Sequence, residues 1–91
     1  MKQENKFWEI GKNYMIRTVT MIQVGKLVNI DEFEIILQDA AWIAETGRFT
    51  DFLLKGMVKE VEPFPDGNIA IGRGSLIDAT KWNFELLRKQ I

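Results

Sequence analysis

From Tyr14 onward the apolar positions recur every second residue. Ile16, Thr18, Thr20, Ile22 and Val24 alternate with Met15, Arg17, Val19, Met21 and Gln23. β-Branched residues dominate, which is the pattern of a strand with side chains on opposite faces. Gly25 interrupts a run too long to stay straight, so a bulge or sharp curvature is expected there. Lys26 to Ile30 resumes as strand, Asp31 and Glu32 turn the chain, and Phe33 to Gln38 returns antiparallel with Phe33, Ile35 and Leu37 on one face. A strongly bent hairpin is the expected product.

The flanking segments add short elements. Phe7 and Ile10 are three apart with Gly11 behind them, which predicts a short N-terminal helix. Alternation is lost from Asp39 to Gly56, where Phe49, Phe52 and Leu53 stand at helical spacing and Gly56 is placed as a stop. A short inserted helix follows from that. Met57 to Glu62 alternates again, residues 63–68 carry Pro, Asp, Gly and Asn for a turn, and strands are expected at Ile69 to Ile71 and at Leu76 to Trp82. Asn83 either caps a last amphipathic turn through Phe84, Leu86 and Leu87 or opens an irregular end. The fold class expected is mainly β: a small, strongly bent five-stranded antiparallel sheet or barrel with a short N-terminal helix and a short inserted helix. Residues 1–12 read as a tail or short helix, and residues 13–91 as a single barrel-like domain.

Composition narrows the chemistry. The chain has 91 residues, 46% hydrophobic and 27% charged, enough for one core and too apolar for disorder. No apolar run approaches the ~18 residues of a membrane span, so no membrane partner is expected. The absence of His and Cys removes disulfides, thiolate and imidazole metal ligands, cysteine nucleophiles and Ser-His-Asp triads. No nucleophile with an adjacent base can be named, so neither an enzyme, a metal nor a cofactor is expected. The start Met-Lys-Gln-Glu-Asn-Lys lacks a following apolar stretch and does not read as a signal peptide, which makes the cytoplasm the expected compartment. Net charge is −1. Asp31, Glu32, Glu34, Asp39 and Glu45 form an acidic middle without a base among them, which opposes duplex or long single-stranded nucleic acid.

Several residues stand out as binding candidates. Gly72-Arg73-Gly74 reads either as a ligand loop, with positive φ and close backbone approach at the glycines and a planar guanidinium between them, or as a tight turn with a solvated Arg. Thr46-Gly47-Arg48-Phe49 reads either as an anion-binding joint with Arg48 beside it or as a plain loop-to-helix joint with Phe49 in the core. Arg17, in mid-strand, needs a carboxylate, an interface or a ligand unless it lies on a solvated edge. Trp8, Trp42 and Trp82 are either a stacking set or core and interface filler. Asp39 and Asp78 are either a carboxylate pair or separate turn residues.

Two segments resemble the paired motifs of Sm-like barrels. Val24 to Ala40 is similar to the first, a bent Gly strand leading to Asp-x-aromatic-x and an apolar strand with an acidic end; Ile69 to Ile77, with Arg73-Gly74, is similar to the second. The resemblance implies a homo-oligomeric ring, such as a hexamer, that binds one nucleobase per subunit. Phe33 would be the stacking platform and Arg73 would cover the other face of the base. Glu34 departs from that pattern, where Asn is usual, and a carboxylate can accept but not donate. The chain also resembles small phage-encoded proteins of unassigned role that share Ile16 to Thr20, Asp39 to Phe49, Glu60 to Pro63 and Arg73 to Ala79. That second resemblance implies a phage origin and residence in the host cytoplasm.

Together these features lead to a non-enzymatic phage protein that captures a small nucleotide, a cyclic or oligonucleotide immune signal, in an anti-defence role. The ligand residues expected are Phe33, Glu34, Gly72, Arg73, Gly74, Arg48, Arg17 and Trp42. The alternatives are a Sm-like RNA-binding ring and a virion or assembly protein.

Overall fold

The computed structural model describes residues 7–65 and 67–91. Among them the chain forms β1 (Asn13–Thr18), β2 (Ile22–Ile30), β3 (Glu34–Glu45), α1 (Phe49–Lys55), β4 (Glu60–Pro63), β5 (Asn68–Gly72), a 3-10 turn (Arg73–Ser75) and β6 (Leu76–Lys81). The strands make one antiparallel sheet in the order β4-β3-β2-β1-β6, with β5 also on β3. β4 pairs with Ala41 to Glu45 and β5 with Glu34 to Gln38, so the two lie end to end along β3. The sheet is mainly β as expected, but it is open and has six strands.

The sixth strand arises from a turn without Gly, Pro or Asn. Thr18 Oγ1 accepts the Met21 N–H and donates to the Met21 carbonyl, both at 3.1 Å, and splits the alternating run into β1 and β2. Ile16 therefore faces one side with Tyr14 and Leu27, while Ile22 and Val24 face the other with Met15. The short N-terminal helix is absent over the described residues 7–12, and Lys6 lies outside them. The Tyr14 hydroxyl donates to the Phe7 carbonyl and accepts the Glu9 N–H, each at 2.7 Å, taking backbone groups that a helix would use. Phe7 and Trp8 instead stack around the Tyr14 ring.

β3 is the longest departure from the local pattern. Asp39 adopts φ 52 and lets the strand continue through Asp39 to Glu45, where no strand was expected. The bulge changes the parity of the face. Ile35, Leu37 and Ala40 enter one core, and Ala41 and Ile43 enter the other. The inserted helix forms as α1, ended by Gly56 at φ 70 with its N–H on the Phe52 carbonyl. Beyond β6 the described chain is irregular. Phe84, Leu86 and Leu87 pack onto the second core, and Ile91 exchanges two 3.3 Å hydrogen bonds with Val61 on the outer edge of β4.

Apolar residues thus cover both faces, and the sheet must coil to hold them. Gly72 pairs with Glu34 at one end of the β2–β3 hairpin, and Leu76 pairs with Thr18 at the other end. The three residues between them reach at most about 14 Å, whereas a straight β2 would separate the ends by about 27 Å. Gly25 allows the bend: a Cβ there would stand 3.0 Å from the Ala40 Cβ and 3.1 Å from the Leu37 Cβ. Gly25→Val is therefore expected to destabilise the fold by about 1–3 kcal/mol. Urea denaturation checks this, and an unchanged midpoint would show that the close approach does not constrain the sheet.

Candidate functional site

The coiling brings two turns together. Asp31 follows β2 and its Oδ1 accepts the N–H groups of Phe33 at 2.7 Å and Glu34 at 2.9 Å, a side-chain mimic of a turn that fixes the β2–β3 connection. The 3-10 turn after β5 meets it through two bonds. The Arg73 N–H donates to the Phe33 carbonyl at 2.9 Å, and the Arg73 Nη1 donates to the Asp31 carbonyl at 2.7 Å. At its other end the same turn accepts the Val19 N–H on the Ser75 carbonyl at 3.0 Å. One three-residue turn thus bridges the β1–β2 and β2–β3 turns.

Phe33 is not part of the core. It belongs to the turn rather than to the Ile35–Leu37 face, and is 75% exposed. A ring of this size left open on a pinned turn is a stacking surface. Arg73 is half-buried, and one of its five guanidinium N–H donors is used by the Asp31 carbonyl. Asp31 is held below the usual carboxylate range, first by the Glu34 and Phe33 N–H groups and then by the Arg73 charge. Exposed Glu32 and Glu34 flank the same turn. The arrangement offers an aromatic face, a guanidinium and acceptor oxygens, which suits a planar group bearing N–H donors better than a phosphate.

Gly72 and Gly74 do not have the positive φ expected of them. A Cβ at either would meet nothing within 4 Å. Neither local conformation nor packing demands glycine, and the backbone beside Arg73 is open to close approach.

The other candidate residues lie elsewhere. Arg17 forms a bidentate pair with Asp78 across the β1–β6 ladder, with Nε donating to Oδ1 at 3.0 Å, and its guanidinium sits 6.0 Å from the centre of the Phe49 ring. Trp42 lies at the end of β3 and lines a concavity with Arg17, Met21 and Ile22. Trp82 is buried against Phe52, its indole N–H donating to the Glu85 carbonyl at 3.0 Å. Arg48 precedes α1, and Phe49 beside it is partly exposed. Asp39 and Asp78 do not meet: Arg88 stands 3.8 Å from Asp39, and Asp78 belongs to Arg17.

The structure joins Phe33, Glu34, Gly72, Arg73 and Gly74 into one cluster and leaves Arg17, Trp42 and Arg48 outside it. Asp31, expected in the sequence as a turn residue and not as part of the site, joins the cluster as well. Its signal was present two residues before Phe33, since Asp accepts backbone N–H groups just ahead of itself. Among the described residues there is no group of three or more acidic side chains that could hold a metal ion, and no helix long and apolar enough to cross a membrane. Comparison of the chain with protein-family models, with curated proteins and with solved structures finds no match.

Two outcomes follow from this geometry. Phe33→Ala should leave stability within about 0.5 kcal/mol of wild type, because the ring is exposed; a lowered urea midpoint would place Phe33 in the core. The Asp31 carboxyl should titrate below the ordinary aspartate range. A lowered folded value contributes stability that is complete above the unfolded value and is lost as pH falls through the folded one. A carbon-detected NMR titration that follows the carboxyl together with the Phe33 and Glu34 amides checks both the direction and the partners.

Proposed function

We propose that the chain is a Sm-like, non-enzymatic binding protein that captures a small nucleotide, with the base at Phe33 and Arg73. The observation that carries this reading is the exposed Phe33 ring on a turn bonded through both backbone and guanidinium to Arg73. Stacking on an aromatic face is worth about 1–3 kcal/mol per base and tolerates any base. Glu34, exposed at the start of β3, adds an acceptor for an exocyclic amine. The open backbone at Gly72 and Gly74 leaves room for a ligand edge.

The strand order supports the Sm-like reading, with β6 on β1, the bent β2–β3 hairpin in the centre, and β4 and β5 end to end on the outer side of β3. Among the described residues β5 pairs only with β3 and β6 only with β1, so each offers an edge through which copies can join into a ring. Acidic residues around the site favour a small ligand over a polynucleotide, since long phosphate chains need many cations at once. In a phage protein this chemistry fits the capture of a cyclic or oligonucleotide immune signal in the host cytoplasm.

Calorimetry with cyclic dinucleotides and short oligonucleotides tests the reading. Arg73→Ala and Phe33→Ala are each expected to weaken binding by about 1–3 kcal/mol, Phe33→Ala without lowering the melting temperature and Arg73→Ala with a loss of about 1 kcal/mol of stability from its bond to the Asp31 carbonyl. Gly74→Ala is expected to weaken binding while leaving stability unchanged or raised by up to about 1 kcal/mol. Preferential binding of a uridine tract would move the reading to an RNA-binding ring. Full affinity in Arg73→Ala would remove the base site, and indifference to every nucleotide would favour an assembly protein.

A further inference from the structure

A cavity of about 540 Å3 opens where β3 hands over to α1 and where the chain returns toward β4. Arg48 and Lys59 both line it. Four of the described cations have a carboxylate: Arg17 has Asp78, Lys55 has Asp51, Lys81 has Glu9 and Arg88 has Asp39. Among the described residues neither Arg48 nor Lys59 has one. Asp51 also lines the cavity and pairs with Lys55 at 3.9 Å, and Glu45 Oε1 accepts the Gly47 N–H at 3.1 Å.

Lys59 is held in place from two sides. Its N–H donates to the Glu45 carbonyl at 2.9 Å. Its side-chain carbons cross Gly47, where a Cβ would stand 3.2 Å from Cγ and 3.3 Å from Cε. Gly47 is at φ 72, so the turn needs glycine both for its backbone and for the lysine that lies over it. Met57 and Val58 supply an apolar wall, and Met57 is 55% exposed, a large apolar side chain left open at the cavity. The cationic charge here belongs to the two side chains, Arg48 just before the seven-residue α1 and Lys59 beyond it.

We propose that this cavity binds a phosphorylated small molecule, with its phosphate between Arg48 and Lys59 and its organic part on Met57 and Val58. Two cations facing one cavity repel each other when it is empty, and a phosphate relieves that repulsion. The volume lies in the range of small-molecule sites, roughly 300–1,000 Å3. This site is separate from the Phe33–Arg73 turn and does not depend on what that turn binds.

The test is an amide NMR titration of the full chain with inorganic pyrophosphate and with AMP, at constant ionic strength against sodium chloride. Saturable shifts at Gly47, Arg48 and Lys59 are expected, tighter for AMP than for pyrophosphate. Affinity should fall at least tenfold in Arg48→Gln and in Lys59→Gln, persist in Lys59→Arg, and be unchanged in Phe33→Ala/Arg73→Ala. Melting curves of each variant show that the fold is kept. Shifts that do not saturate, that match the sodium chloride control or that survive in both Gln variants would overturn the site. Equal or weaker affinity for AMP would overturn the assignment of an organic phosphate. Loss of the shifts in Phe33→Ala/Arg73→Ala would overturn the independence of the two sites.

Discussion

Everything in this small sheet depends on how sharply the central hairpin can bend. A sheet with apolar residues on both faces must cover both. One face curves inward around Tyr14, Leu27 and Ile35; the other is covered by α1 and the C-terminal segment around Phe52, Val61 and Trp82. Two backbone features make that possible. Gly25 lets β2 pass within contact distance of Leu37 and Ala40, and Asp39 at φ 52 switches β3 from one core to the other. The bend also shortens the gap that the Arg73–Ser75 turn has to span. The geometry of the candidate base site is thus a consequence of core packing, several residues away from any side chain that would touch a ligand.

The two polar regions divide the chemistry between them. The Asp31 to Glu34 turn has one guanidinium among several acids and an open aromatic ring, which suits recognition of a flat group with N–H donors. The Arg48–Lys59 cavity has cations and an apolar wall, which suits a phosphate ester. Arg17, although it looks like a free cation in the sequence, is neutralised by Asp78 and rests on Phe49. A mid-strand Arg opposite an Asp on the neighbouring strand is structural first, since the pair offsets its own charge.

Much of this was legible in the chain itself, and the gaps have physical causes. The bend at Gly25, the helix ended by Gly56 and the turn at Asp31 follow from local rules about glycine conformation and side-chain capping. The break at Val19 to Met21 did not show, because it is made by the Thr18 hydroxyl and by the Ser75 carbonyl far along the chain, and its residues are good strand formers. The second half of β3 was hidden for a related reason. The Asp39 bulge shifts the alternation by one, so Ala40, Ala41 and Ile43 look compact rather than periodic. Phe7 to Ile10 has a helical spacing, but a single tyrosine hydroxyl outcompetes the first turn of so short a segment. The cluster at Arg73 was visible as a motif; its partner Asp31 and the role of Lys59 beside Arg48 needed the tertiary fold.

The central claim is that one turn ties the two ends of the bent hairpin within a single chain. A mixed sample of nitrogen-labelled and carbon-labelled protein tests it directly, because nuclear Overhauser contacts can then be sorted into those within a chain and those between chains. Within one chain, the account predicts contacts from the Arg73 amide to Phe33 and from the Val19 amide to Ser75, with slow hydrogen exchange at both amides. Absence of these contacts, or their appearance only between differently labelled chains, would contradict it.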